Sequence, residues 1–214
     1  MCTRDGMRLA MFLRGLRDAI ARFDRPEVVY AGTGPFAPLA IPFLDRAQFT
    51  LIDIHEEAAR SVRTIVDHFG FDAAVIVADA TQYEHPRPID IVVAEVMQKA
   101  LTVEPQVEIV RNLAAQLSAD GIVIPECIAV DLDPGNVRIV ELERGVLHTR
   151  TVAVPVSGHG MYRTTIRTYG NHVLREYESG LTHPEIAGLQ LCEGERIAFS
   201  YETGKRPGIR FQRL

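Results

Sequence analysis

The sequence predicts an α/β protein in which a doubly wound parallel sheet is followed by a smaller antiparallel β region. Two observations carry this expectation. Between Val28 and Pro125, short apolar runs alternate with stretches of helical period, the pattern of parallel strands joined by crossover helices. Beyond Glu126 the helical period disappears, and short β-prone runs are separated by Pro, Gly and Asn. This divides the chain into an α/β domain at residues 1–126 and a small β domain at 127–214, the latter standing alone or packed as a sheet on the former.

At 214 residues the chain can bury one large core. Its composition is that of a soluble globular protein, 47% hydrophobic and 24% charged, with a net charge of −5 and both signs mixed throughout. There is no basic stripe, which argues against nucleic acid as a partner. Cys2, Cys127 and Cys192 are widely spaced and form neither a CxxC nor a paired-histidine pattern. No disulfide framework or metal site is therefore expected, and a cytoplasmic setting is. The apolar pattern of residues 1–20 is interrupted by charges, so neither a signal peptide nor a membrane span is expected.

Taken in order, Leu9, Phe12, Leu13, Leu16, Ile20 and Phe23 predict an amphipathic helix over residues 7–23, stopped by Pro26. Val28-Val29-Tyr30-Ala31 is a first strand, followed by Gly32-Thr33-Gly34 and by Pro35 as first-turn proline of a helix made short or irregular by Pro38 and Pro42. Strand, GxG and helix start in that order can cradle a nucleotide-type cofactor. A second strand over 49–53 closes on Asp53, about 20 residues after the glycines, where an acid can accept hydrogen bonds from ribose hydroxyls. A helix over 56–69 buries Ala59, Val62, Ile65, Val66 and Phe69, and a third strand over 71–78 ends at Asp79. The fourth strand starts at Ile89 and ends at Glu95. Val107, Val110, Leu113, Ala114 and Leu117 mark the next helix, and residues 121–125 a fifth strand. Later β runs fall at 137–142, 146–154, 163–169, 196–201 and 209–211.

Glu95 and Glu104 flank one strand-to-helix connection, where two carboxylates can face each other across a pocket, hold a cation, or decorate a solvated loop. No histidine accompanies them and Glu108 is the one nearby third carboxylate, which argues against a metal. A nicotinamide enzyme accounts for the glycines and Asp53 but usually carries a third glycine as GxGxxG, and here Gly34 is followed by Pro35-Phe36-Ala37.

With Gly32-Thr33-Gly34, Asp53, Asp79 and Glu95 falling one per strand end, the chain resembles a class I S-adenosylmethionine (SAM) methyltransferase, and within that group it is similar to the protein arginine methyltransferases. VVYAGTGPF resembles their glycine motif, LIDIHEEA the ribose-binding acid motif, VADAT the adenine-side acid, and AEVMQKALTVE the paired-glutamate segment, with Met97 also retained. Asp5-Gly6-Met7-Arg8 fits the family's D-x-x-R, and IVIPE the strand leading into its β-barrel. The similarity spans residues 5–126 and is architectural afterwards. Tyr30 replaces an acid and Phe36 the third glycine, while Val96, Gln98 and Lys99 stand where the family has a Trp, a Gly and a Tyr. The aromatic substrate wall is thus missing or rebuilt. Thr182-His183-Pro184 resembles the Thr-His-Trp element without its Trp.

The resemblance implies a Rossmann-like domain followed by a shortened β-barrel-like domain, with SAM as cofactor. Arg8 is expected to bind its carboxylate, Gly32 and Gly34 its backbone-facing side, Asp53 its ribose and Asp79 its adenine. It also implies catalytic roles for Glu95, Glu104 and His183. A guanidinium is permanently cationic, planar and a donor only, so two carboxylates can orient it by charge-assisted hydrogen bonds. The expected activity is N-methylation of a guanidino group on an arginine-type substrate, peptide or small molecule, with the lost aromatics and short β region favouring a free small molecule. The alternatives are a small-molecule O- or N-methyltransferase with Glu95 as general base, and a non-catalytic SAM-binding protein. His159, with Met161 and Tyr162, is a further candidate for a substrate-facing loop. A homodimer is allowed by the resemblance, although the β region leaves little room for the family's dimerisation arm.

Overall fold

A computed structural model describes residues 5–97, 101–103 and 105–214. The first helix, α1 (Gly6–Ile20), is capped by Asp5, whose carboxylate accepts the Arg8 backbone N–H at 3.0 Å. It buries Phe12, Leu16, Ala19 and Ile20 and stops short of the expected Phe23. Arg25, held non-helical by Pro26, takes a left-handed φ of 51° and turns the chain into β1 (Glu27–Ala31), which is buried throughout.

The helix expected to begin at Pro35 does not form. Residues 34–47 run as turns with one short 3-10 helix, Ile41–Phe43. Pro38 and Pro42 supply no amide donor and their rings crowd the carbonyls four residues back, and Ala37 sits at φ 41°, outside the helical region. The glycine loop is thus followed by irregular backbone, without the helix N-terminus a nucleotide cradle commonly uses.

β2 (Gln48–Asp53) and α2 (Glu56–Phe69) follow as expected, except that Phe69, read as inward-facing, is 63% exposed. It lies at the last turn, just before Gly70 ends the helix in a left-handed cap, beyond the reach of the buried Ala59, Val62 and Val66 stripe. β3 (Ala73–Val77), β4 (Ile89–Ala94), α3 (Gln106–Ala114) and β5 (Leu117–Ile124) complete the parallel sheet. Leu117, placed by its period in the helix, instead opens β5. The strand order is β3-β2-β1-β4-β5 with every pairing parallel. The order reverses between β1 and β4, so a crevice opens at their C-terminal ends, where such sheets bind ligands.

After Ile124 the pairing turns antiparallel. β6 (Cys127–Asp133), β7 (Val137–Glu143), β8 (Val146–Thr149), β10 (Gly158–Tyr169), β11 (His172–Leu174) and β12 (Glu185–Leu191) form one sheet, and β9 (Thr151–Ala153), β13 (Arg196–Glu202) and β14 (Gly208–Arg213) another. β6, β11 and β12 have no counterpart in the sequence expectation, and the run expected at 146–154 is split at Arg150 between the two sheets.

The helix α1 ties both halves together, packing on β5 but more extensively on β10 and β11. A Cβ at Gly15 would stand 2.7 Å from Thr168 Oγ1, so only glycine permits this approach. The Thr168 hydroxyl lies 3.0 Å from the Met11 carbonyl, and Asp18 meets His172 Nε2 at 2.7 Å. No helix among the described residues is long and apolar enough to cross a membrane.

The packing of β6 makes a chemical prediction. Burial, and then the Glu141 carboxylate, push the Cys127 thiol up to about 11, whereas Cys192 is exposed. Roughly one Cys127 in a thousand is then a thiolate at pH 8. Iodoacetamide at that pH should label Cys192 on the native protein and reach Cys127 only after denaturation, as read by mass spectrometry; equal native labelling would contradict this packing.

Candidate active site

The C-terminal ends of β1, β2, β3 and β4 enclose a cleft of about 340 Å³ lined by Gly32, Gly34, Asp53, Asp79 and Glu95 together with Ile54, His55, Val96 and Ile109. The fold therefore collects four of the features that the sequence distributes one per strand. Gly32 has φ 76°, and a Cβ there would fall 2.1 Å from Val96 Cγ1, so the loop passes close over the end of β4 because residue 32 has no side chain. The loop is also held from behind, with the Gly32 N–H donating to the Ile52 carbonyl at 2.8 Å.

Asp53 is buried and already employed. Its Oδ2 accepts the Gly34 N–H at 2.8 Å, while Oδ1 accepts the His55 N–H at 2.9 Å and lies 3.1 Å from His55 Nδ1. A carboxylate offers about four lone-pair directions, so about one remains for a ligand hydroxyl. Asp53 thus fixes the turn and also lines the cleft. Asp79 is exposed; its Oδ1 accepts the Thr81 N–H at 2.9 Å and the Thr81 hydroxyl at 2.7 Å, a local turn. Its Oδ2 makes no hydrogen bond among the described residues and is available to the cleft.

Glu95 follows β4 directly, and its side chain is 3% exposed. The Arg8 guanidinium, from the first turn of α1, is ion-paired to its Oε1, and Arg8 Nη2 also lies 3.4 Å from the Met97 carbonyl. Glu104, Gln98 and Lys99 lie outside the described residues. Glu108, the third carboxylate of this region, accepts the Gly204 N–H at 3.1 Å, and Tyr201 on β13 donates its hydroxyl to the Leu101 carbonyl at 2.6 Å. The antiparallel region therefore anchors the segment between Glu95 and α3. Burial and then the Glu108 carboxylate raise the Tyr201 phenol, keeping it a donor.

His183 is not in this cleft. It lies on a second pocket of about 570 Å³ between the first turn of α1 and residues 177–183, which Arg8 also lines and whose link to the cleft is the Arg8–Glu95 ion pair. Asp5 pins the two sides together, its Oδ2 accepting the Ser179 hydroxyl at 2.6 Å and the Gly180 N–H at 2.9 Å. Burial opposes ionisation of Asp5, but these bonds, the Arg8 N–H and the Arg8 charge outweigh it and hold the carboxyl below the usual range. His159, Met161 and Tyr162 lie on β10, where they pair with β12, and line neither pocket.

Sequence reasoning missed Gln106. It is buried at the start of α3, donates Nε2 to the Ala94 carbonyl at 2.8 Å and accepts the Val96 N–H at 3.2 Å, bracing the backbone on both sides of Glu95. The signal was there: Gln106, Ile109, Val110 and Leu113 share the buried face of α3, and a polar residue on such a face needs a partner. Ile54, a further wall of the cleft, has no counterpart in the sequence expectation.

No family model and no curated protein matches the sequence. Solved structures do match. The chain is similar to protein arginine methyltransferase 10 of Arabidopsis thaliana, with 12% identity, a TM-score of 0.70, and 99% of this chain and 96% of that one covered. It is also similar to a chain of the Trypanosoma brucei PRMT1 enzyme–prozyme heterotetrameric complex with AdoHcy, with 14% identity, a TM-score of 0.63, and 100% and 96% covered. At these identities the shared property is the fold: a parallel Rossmann-like sheet followed by an antiparallel β region, as in the arginine methyltransferases.

The ion pair at Glu95 sets a stability prediction. Arg8→Ala removes the cation from a carboxylate that is almost fully buried, and such losses cost about 3–5 kcal/mol. Chemical denaturation should show a loss of that size for Arg8→Ala, with part of it recovered in Arg8→Ala/Glu95→Gln, where no charge is stranded. No change in midpoint for Arg8→Ala would mean that the pair is not formed in solution.

Proposed function

We propose that this protein is a SAM-dependent N-methyltransferase acting on a guanidino group. One observation carries the reading: Glu95, buried at the β1/β4 crevice, already binds a guanidinium, that of Arg8. A site that holds this group from its own chain has the sign of charge to accept it from a substrate.

The residues present also fit the cofactor. The side-chain-free surface of Gly32 leaves room for close approach, the remaining lone pair of Asp53 suits a ribose hydroxyl, and Asp79 Oδ2 suits an adenine amino group beside the apolar Ile54 and Ile109. Arg8, ion-paired to the cleft residue Glu95, is a cation suited to a cofactor carboxylate. When bound, SAM supplies an electrophilic methyl group on a sulfonium.

What the chain itself contributes is then placement and charge. In this reading Arg8 changes partner, from Glu95 to the cofactor carboxylate, and Glu95 is released to hold the substrate guanidinium, with Glu104 as the second carboxylate of the clamp. Carboxylates on two of the guanidinium nitrogens draw its positive charge toward them and leave the third nitrogen richer in electrons. Alignment of a nucleophile at about 3 Å is an orientation effect that supplies several kcal/mol. The nitrogen must lose a proton, and the His183 imidazole, in the pocket across Arg8, is assigned to receive it. The missing Trp and Tyr between the two glutamates favour a free guanidino compound over a protein chain as substrate.

Labelled-methyl transfer from SAM to free arginine, a simple alkylguanidine and an arginine-bearing peptide tests this directly. Glu95→Gln should lower kcat by about 100-fold or more, while AdoHcy affinity is kept or improved because the Glu95 carboxylate no longer competes for Arg8. Full turnover by Glu95→Gln on a substrate that the wild type methylates would falsify the clamp.

A further inference from the structure

The pocket across Arg8 contains a residue whose conformation is unexplained by folding. Tyr177 has φ 64°, and the residue is 68% exposed. A bulky side chain in the left-handed region is a real outlier, because its Cβ crowds the neighbouring carbonyl, and glycine or asparagine occupies such a position with less strain. Here no burial compensates. The surrounding turn is nevertheless tightly specified: the Tyr177 N–H donates to the Thr182 carbonyl at 3.3 Å, Ser179 and Thr182 form a reciprocal capping box, and Asp5 fastens Ser179 and Gly180 to α1. Strain held in place by an over-determined turn at the mouth of a pocket points to a function for the side chain.

The ring has a partner in His183, whose centroid is 5.7 Å away with the planes tilted by 54°. Both line the pocket with Met7, Glu178 and Arg8, and the Arg8 guanidinium reaches Glu95. The stretch after Glu95 is where an aromatic wall was expected and is absent, Val96 and Lys99 standing in place of aromatic residues.

Resting on the guanidino reading, we infer that Tyr177, packed against His183, is the rebuilt aromatic wall, and that it selects substrates by stacking against the planar cation as that cation approaches Glu95. An aromatic face attracts a guanidinium through its quadrupole and its flat surface. The Glu178 carboxylate beside it favours the same sign of charge. Tyr177 is thus a specificity-determining residue that acts on substrate affinity and leaves cofactor binding alone.

Three variants separate this from a structural role. Tyr177→Asn keeps a residue tolerant of positive φ and should fold at least as well as the wild type, yet raise KM for the guanidino substrate about tenfold with kcat within about twofold. Tyr177→Phe, which retains the ring, should keep KM within about twofold of wild type. AdoHcy affinity by calorimetry should be the same in both, and Tyr177→Ala should resemble Tyr177→Asn in KM. Wild-type KM in Tyr177→Asn, beside an active wild type, overturns the role of Tyr177 and leaves the guanidino reading standing. No methyl transfer to any guanidino compound by the wild type overturns both.

Discussion

A charge buried at the centre of the molecule sets most of what surrounds it. Glu95 lies where the sheet order reverses, with its side chain almost wholly out of water, and a carboxylate in that position is tolerable only with a cation and hydrogen bonds around it. The cation comes from Arg8. To deliver it, α1 must be capped at Asp5, must end its first turn over the crevice, and must be fixed along its length. Gly15 against Thr168, Asp18 against His172, and Asp5 against Ser179 and Gly180 supply that fixing, all from the antiparallel region. The β strands beyond Ile124 therefore act on the site through α1, and also directly through the Tyr201 and Gly204 bonds to the segment between Glu95 and α3.

The same arrangement gives the proposed chemistry its economy. An internal guanidinium on Glu95 satisfies the charge when no substrate is present, and a cofactor carboxylate is a competing anion for the same arginine. Binding of an anion and of a cation at neighbouring places would then favour each other, because each takes one member of a pair that must otherwise stay together. The irregular backbone after Gly34 fits within this picture. A loop followed by turns instead of a helix offers little dipole to an anion, so in the proposed chemistry the arginine on α1 would carry more of that task.

The sequence displayed the parallel sheet because its signals are local. Apolar runs, GTG, and acids at strand ends are each readable within a few residues, and the order of the strands then brings Gly32, Asp53, Asp79 and Glu95 together without further information. The Arg8–Glu95 pair was not readable, since no local pattern says which of two plausible anions an arginine far away in the chain will meet. Gln106 was missed because it stands just before the apolar period that begins at Val107 and so reads as a solvated helix start. The helix expected at Pro35 failed because two later prolines and a left-handed Ala37 outweighed a favourable start. β6 was missed because it is buried on both faces and β11 because it is too short to show a period, whereas β12 alternates in burial but hides it in sequence with Gly188 and an outward-facing Ile186. Tyr177 carried no sequence signal, as its meaning lies in a backbone angle.

The most direct test of the account is the structure of the protein with AdoHcy and arginine bound together. The account predicts AdoHcy in the crevice over Gly32, Arg8 turned from Glu95 to the AdoHcy carboxylate, and the arginine guanidinium in its place on Glu95. A complex in which AdoHcy is bound while Arg8 remains paired to Glu95, with no guanidinium admitted to the cleft, would contradict it.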